Sequence, residues 1–306
     1  MIKHLVSSGQ FKDSRMLEEI FQRTDEWERW DQAGTLPKPL QDKVIACLFF
    51  EPSTRTRFSF ETAALKLGAK VISSENAGQF GSSSKGETLE DTIRVVNGYA
   101  DAIVMRHYIQ GAARRAARVS EVPIINAGDG AGEHPTQALL DFYTMRKELG
   151  KIEGLRIALV GDLLYGRTVH SLLNLAMLYK SCQFFLISPP RLAVPQKIRA
   201  EMQARGVKFR ELQDFGEILG KIDVLYMTRV QKERFASEND YNQVKDVYQV
   251  DKALLRKLNK QAIIMHPLPR ITEIAPEVDH DKRAAYFRQA KNGLYLRMAI
   301  LEMLVR

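Results

Sequence analysis

Cysteine is scarce: Cys47 and Cys182 are the only two in 306 residues. They lie far apart in apparent strand contexts, which excludes a disulfide framework and a clustered thiolate site for zinc. No apolar run approaches the length of a membrane span, and the opening residues Met1-Ile2-Lys3-His4-Leu5 form no apolar leader. No repeat recurs at a fixed period and no segment is of low complexity. The chain also lacks any tract in which Lys or Arg alternates with stacking aromatics, so its net charge of +8 does not describe a nucleic-acid surface. The densest basic segment, Arg114, Arg115 and Arg118, falls inside an alanine-rich helical stretch. Positive charge without such a stripe suits an enzyme that collects small polyanions by steering. The expectation is a cytoplasmic protein with two structural thiols that binds neither membrane nor nucleic acid.

The length suffices for two domains with packed cores. Short apolar runs predict strands at 44–50, 70–73, 102–105 and 123–126, then at 156–160, 183–187, 207–209, 223–227 and 262–265. Longer amphipathic runs predict helices at 14–32, 58–67, 89–99, 110–119, 136–149, 168–179, 195–204, 252–258 and 293–305. Such alternation is the signature of an α/β protein: two domains, each a mostly parallel sheet flanked by helices, with the active site in the cleft between them. The charged, glycine-bounded stretch 147–154 separates the two strand sets. The domains are expected at 1–134 and 135–291, with a C-terminal helix 292–306 packing back on the first. Several strand candidates run into polar residues, at 104–107, 125–130, 160–162, 226–229 and 264–267, and open parallel sheets bind ligands at those carboxyl ends.

The segment Phe50-Glu51-Pro52-Ser53-Thr54-Arg55-Thr56-Arg57-Phe58 carries the most chemistry. A strand, a tight loop and a helix start present free backbone N–H groups to an anion, and here three hydroxyls and two guanidinium groups join them. Arginines in a first helical turn oppose the macrodipole, a cost that a bound anion offsets. The plainer alternative is a Ser/Thr cap followed by two solvated arginines. Gly161-Asp162-Leu163-Leu164-Tyr165-Gly166 lacks the three-glycine spacing of a dinucleotide turn, so no nicotinamide cofactor is expected.

Six motifs in order, Ser53-Thr54-Arg55-Thr56-Arg57, Lys85-Gly86-Glu87-Thr88, His134-Pro135-Thr136-Gln137, Arg167-Thr168-Val169-His170-Ser171, Arg229-Val230-Gln231-Lys232-Glu233 and His266-Pro267-Leu268-Pro269-Arg270, resemble the aspartate branch of the aspartate/ornithine carbamoyltransferase family. The resemblance runs from about residue 40 to the end of the chain. It implies transfer of a carbamoyl group from carbamoyl phosphate to the α-amine of L-aspartate, as in pyrimidine biosynthesis, with no metal or organic cofactor. Carried over by position, the backbone of Ser53, Thr54, Arg55 and Thr56, with the Arg55 side chain, holds phosphate. Thr56, Arg106 and His134 point at the carbonyl oxygen, while Gln137 and the carbonyls of Leu268 and Pro269 accept from the carbamoyl NH₂. Arg167, Arg229 and Gln231 bind aspartate, and Lys85 bridges phosphate and aspartate. The resemblance also implies a homotrimer with active sites shared between chains, Lys85 reaching the neighbour's site, and it leaves regulatory chains open as partners.

The chemistry suits these residue types, because amine attack on a carbonyl needs oriented donors for an oxyanion and a departing polyanion more than a nucleophilic side chain. Without the resemblance, His134 also reads as a helix-start histidine, Arg106 as a surface arginine, and Arg229 with Lys232 as a solvated face. Acceptors other than aspartate, such as ornithine, and a non-catalytic carbamoyltransferase-like module are the competing functions. A cationic acceptor fits poorly beside Arg229 and Gln231. Asp129 and Asp162 are expected to orient loops by bonding backbone N–H groups, and His266 is given no chemistry. Glu51 beside a phosphate loop is expected to act as a closure latch, pairing with a cation brought by the second domain, with Arg167 and Arg234 as candidates. Two departures stand out: Gly81 replaces a serine common four residues before the loop lysine, and Leu164 replaces a lysine found in some bacterial relatives.

Overall fold

Two sets of parallel strands, each fed by helical crossovers, build the chain. A computed structural model describes residues 2–75, 86–232, 235 and 237–305. The first sheet contains β1 (Val44–Phe49), β2 (Lys70–Glu75), β3 (Ala102–His107) and β4 (Ile124–Asp129), in the order β2-β1-β3-β4. The second contains β5 (Arg156–Val160), β6 (Gln183–Ile187), β7 (Lys208–Leu212), β8 (Val224–Met227) and β9 (Ile263–Met265), in the order β7-β6-β5-β8-β9. Every pairing between these strands is parallel. Central strands β1, β3, β5 and β8 are apolar almost throughout and buried on both faces, whereas edge strand β2 is largely exposed and polar.

The helices are α1 (Ser14–Ala33), α2 (Thr54–Lys66), α3 (Leu89–Asn97), α4 (Ala112–Val119), α5 (Pro135–Leu149), α6 (Arg167–Ala176), α7 (Gln196–Ala204), α8 (Glu238–Asn242), α9 (Lys252–Lys257) and α10 (Tyr286–Val305). The chain divides into one compact unit of Met1–Leu140 with Lys291–Arg306 and a second of Asp141–Ala290. It passes between them inside α5 and α10.

In the first unit, Ala112, Ala113 and Ala116 of α4 pack against Ile103, Met105 and Ile124. The small alanines allow close approach, and the same periodicity turns Arg114, Arg115 and Arg118 to solvent. Arg115 pairs with Glu90 and Arg114 with Glu133, so the basic cluster is the ion-paired outer face of a helix. Trp27 of α1 is fully buried and donates to Glu302, which also receives Arg23 at 2.6 Å. The second unit packs Val160, Ile187, Leu225 and Met227 against Tyr248 and Tyr286. Among the described residues no helix is long and apolar enough to cross a membrane. Cys47 and Cys182 are free and buried, and burial pushes their thiols up to about 12 and about 11.

Each strand read from the apolar pattern is present, but β2, β3, β4 and β7 run further than their apolar cores. Ladder bonds continue through Glu75, Arg106 and Asp129 because pairing involves the backbone and is indifferent to side-chain polarity. Three helix readings are corrected. Helix α2 starts at Thr54, α10 starts at Tyr286 rather than near residue 293, and the short polar α8 has no apolar period to reveal it. Gly293, read as a boundary, lies inside α10, where a Cβ would stand 2.7 Å from Arg297 Nη1 and 3.1 Å from Leu140 Cδ2. Glycine at that point serves close packing and does not end the helix.

Candidate active site

In the first unit, Phe50 N–H donates to Arg106 O at 2.8 Å, carrying the β1–β3 register into the loop that follows β1. Glu51 thereby comes beside Arg106, and its Oε1 accepts from Nη2 at 2.6 Å. Arg106 Nη1 also donates to Ala127 O at 3.3 Å, and the residue is only 9% exposed, so it is not a surface arginine. Arg106 is thus a partner of Glu51 within its own unit, 55 positions further along the chain, and sequence reasoning missed it. The usable signal was that both side chains follow adjacent apolar strands. Arg234, one cation considered for Glu51, lies outside the described residues.

Ser53 takes the N-cap position of α2, yet among the described residues its side chain caps no backbone N–H; its hydroxyl lies 3.0 Å from Thr56 Oγ1. A helix start with basic residues and no acid in its first turn leaves its N–H groups for an anion. Thr54 and Arg55 are exposed on this turn and Thr56 is buried. The second arginine of the motif is structural, since Arg57 pairs with Glu75 at 3.1 Å and with Glu61 at 3.7 Å.

His134 and Gln137 are buried at the start of α5, joined by a Gln137 N–H to His134 O bond of 3.0 Å. The approach to His134 is braced by Asp129, which accepts from the N–H groups of Gly111 and Glu133 at 2.7 Å each. Burial raises the Asp129 carboxyl despite those bonds, and its role is the orienting one that the sequence suggested. Ser53 to Thr56 thus follow β1, Arg106 lies near the end of β3 and His134 follows β4, on three adjacent strands of one sheet. Lys85 and the 79–85 loop with Gly81 lie outside the described residues.

The second unit repeats this plan. Gly161 ends β5 at φ +112°, and a Cβ there would stand 2.4 Å from Thr228 O. Only glycine lets the loops after β5 and β8 approach so closely. Asp162 N–H then donates to Thr228 Oγ1 at 3.0 Å, Asp162 Oδ1 accepts from Tyr165 N–H at 2.8 Å, and Gln231 Nε2 reaches Tyr165 O at 3.3 Å. Asp162 is fully buried, burial raises its carboxyl, and it orients the 162–166 turn. Arg167 opens α6, whose first turn carries no acidic residue, and Arg229 is half-buried two residues past β8. Lys232 is exposed and pairs with Glu238. Leu164 packs with Leu192, Val230 and Val244, so an apolar side chain suits this position.

Beyond β9, Leu268 adopts φ +56°, a left-handed backbone that a branched side chain rarely takes. Its N–H donates to His266 Nδ1 at 2.7 Å, which makes His266 a strut of the turn. Arg167, Arg229 with Gln231, and Leu268 with Pro269 follow β5, β8 and β9, again adjacent strands. Sequence reasoning missed Glu273, buried beside His266; its signal was a lone carboxylate after a proline turn. Chemically, the first unit offers donors for phosphate and a polarised oxygen. The second offers two planar guanidinium forks, suited to carboxylates, and the turn of Leu268 and Pro269 past β9.

Comparison with known proteins agrees with this division. Residues 3–147 match the aspartate/ornithine carbamoyltransferase carbamoyl-P binding domain, and residues 153–304 match the Asp/Orn binding domain of the same family. The chain is 50% identical to a chloroplastic aspartate carbamoyltransferase of Arabidopsis thaliana, over 98% of this chain and 77% of that protein. It is 48% identical to the aspartate carbamoyltransferase catalytic subunit of Archaeoglobus fulgidus, over 98% of both chains. Among solved structures, the catalytic subunit of M. jannaschii aspartate transcarbamoylase superposes with a TM-score of 0.92 at 46% identity, covering 99% of this chain and 98% of that one. The Trypanosoma cruzi enzyme in complex with N-(phosphonacetyl)-L-aspartic acid superposes with a TM-score of 0.89 at 42% identity, covering 98% and 94%.

Proposed function

The chain belongs to the aspartate/ornithine carbamoyltransferase family, and from that premise we propose how its residues divide the work of carbamoyl transfer to L-aspartate. The enzyme transfers the carbamoyl group of carbamoyl phosphate to the α-amine of aspartate, giving N-carbamoyl-L-aspartate and phosphate. The start of α2 carries the reading, because it sets uncapped N–H groups, Thr56 and Arg55 at the carboxyl end of β1 beside Arg106 on β3. Ser53, Thr54, Arg55 and Thr56 hold the phosphate. Thr56, Arg106 and His134 donate to the carbonyl oxygen, where charge grows as the amine adds. Gln137 and the carbonyls of Leu268 and Pro269 accept from the carbamoyl NH₂ and orient the carbon for attack.

Arg167 and Arg229 take the two carboxylates of aspartate as bidentate forks, Gln231 adds a neutral donor, and Lys85 bridges the substrates. The new C–N bond forms as the amine lone pair adds to the carbonyl. The C–O bond to phosphate then breaks, and the departing phosphate takes the amine proton. The reading includes a homotrimer with Lys85 supplied by the neighbouring chain, a cytoplasmic setting and a place in pyrimidine synthesis; the two buried free thiols are consistent with a reducing compartment.

The test is a colorimetric ureido assay with carbamoyl phosphate and either aspartate or ornithine. Product with aspartate alone is expected, and product with ornithine alone would overturn the assignment of Arg167 and Arg229.

A further inference from the structure

The turn that presents the Leu268 and Pro269 carbonyls is shaped by a carboxylate with no assigned role. Glu273 is 5% exposed and His266 1%. Glu273 Oε1 lies 2.7 Å from His266 Nε2, and Oε2 accepts from the N–H groups of Ile271 and Thr272 at 3.1 Å each. Across the ring, His266 Nδ1 accepts from Leu268 N–H at 2.7 Å. A ring nitrogen that accepts a backbone N–H carries no proton, so the proton sits on Nε2 and is donated to Glu273. The histidine backbone is held separately: its N–H donates to Gln289 Oε1 at 2.9 Å, Gln289 donates to Asp141 at 2.6 Å, and Asp141 accepts from Tyr226 at 2.7 Å.

We propose that Glu273 is a positioning residue for carbamoyl transfer, holding His266 in the tautomer that fixes Leu268 N–H and, through it, the carbonyls of Leu268 and Pro269. The inference rests on the reading above, in which those carbonyls accept from the carbamoyl NH₂. Its chemistry makes one substitution unusually informative. A carboxylate has an acceptor oxygen for His266 and another for the backbone pair, whereas an amide has only one. In Glu273→Gln, an oxygen kept on Ile271 and Thr272 turns the NH₂ toward His266 Nε2. That nitrogen must then accept, the proton moves to Nδ1, and Leu268 N–H loses its acceptor. Glu273→Asp keeps both acceptor oxygens.

The experiment combines steady-state kinetics with ¹⁵N NMR of histidine-labelled full-length enzyme in its native assembly. The parent is expected to show His266 with Nε2 protonated. Glu273→Gln should move the proton to Nδ1 and lower kcat by about tenfold or more, with the KM for aspartate changed by less than about threefold, as for a misplaced orienting group. Glu273→Asp should keep the parent tautomer and a kcat within about fivefold. An unchanged tautomer in Glu273→Gln would overturn control by Glu273, and a changed tautomer with parental kcat would overturn the role given to the carbonyls. Should Glu273→Gln fail to fold, Glu273→Asp decides: parent tautomer with near-parent kcat upholds the proposal, and parent tautomer with kcat down about tenfold overturns it. A parent enzyme that makes no carbamoyl-aspartate would remove the functional reading itself, an outcome visible separately from the NMR.

Discussion

Arg106→Ala separates what this arginine does for catalysis from what it does for the fold. The side chain is 10% exposed and bonds Glu51 at 2.6 Å and Ala127 O at 3.3 Å. Truncation leaves the Glu51 carboxylate without this partner. Because Glu51 keeps 26% of its side-chain surface, water solvates it in part, so the cost falls below that of a fully buried orphan charge. A loss of about 1–2 kcal/mol of stability is expected, readable as a lower urea midpoint with an unchanged slope. Losing an oxyanion donor costs about 3–4 kcal/mol of transition-state stabilisation, or between two and three powers of ten in kcat. Adding Glu51→Ala should recover part of the stability, since the carboxylate that lost this arginine is gone, and none of the rate. A folded Arg106→Ala enzyme with kcat/KM within about threefold of the parent would refute the assigned role. Full recovery of rate in the double variant would show that Arg106 serves only to neutralise Glu51.

Gly161→Ala must place its Cβ 2.4 Å from Thr228 O at φ +112°, so a loss of roughly 3 kcal/mol or more is expected, and a loss under about 1 kcal/mol in urea unfolding would contradict the packing. Asp281 is held below the usual carboxylate range by hydrogen bonds from Arg283, with burial opposing them. A depressed folded pKa means that its stabilisation is present above the unfolded value and is lost as pH falls through the folded one, so Asp281→Asn should be less stable than the parent at pH 7, the gap closing in acid; a gap independent of pH would exclude the ion pair as its source. On the proposed trimer with shared sites, mixing inactive Lys85→Ala and Arg55→Ala chains should restore part of the activity, and no recovery after demonstrated subunit exchange would argue for self-contained sites.

Much of the fold was legible because its determinants are local. Runs such as Val44–Phe49 and Arg156–Val160 are apolar enough to be buried on both faces, and the helices between them show their period in a few turns. The polar endings of those strands picked out the strand ends that gather the candidate residues, and the basic start of α2 was legible as an uncapped basic helix turn without any tertiary information. Failures occurred where the local rule and the tertiary need diverge. Gly293 reads as a helix boundary by propensity, yet it lies in mid-helix, where Arg297 and Leu140 pack closely over its bare Cα.

By itself, then, the sequence determined the alternation of elements, the polar strand ends and the residue types gathered there, since these depend on neighbours one to four positions apart. Tertiary structure alone decided which charges meet and which tautomer a histidine holds. Glu51 finds Arg106 because β1 and β3 pair in one register, and Asp162 reaches Thr228 because Gly161 admits a carbonyl at 2.4 Å. His266 carries its proton on Nε2 because Leu268 N–H approaches one side of the ring and Glu273 the other. Hydrogen bonds and ion pairs act over about 3 Å between atoms far apart along the chain, so no local pattern encodes them until the backbone has brought the partners together.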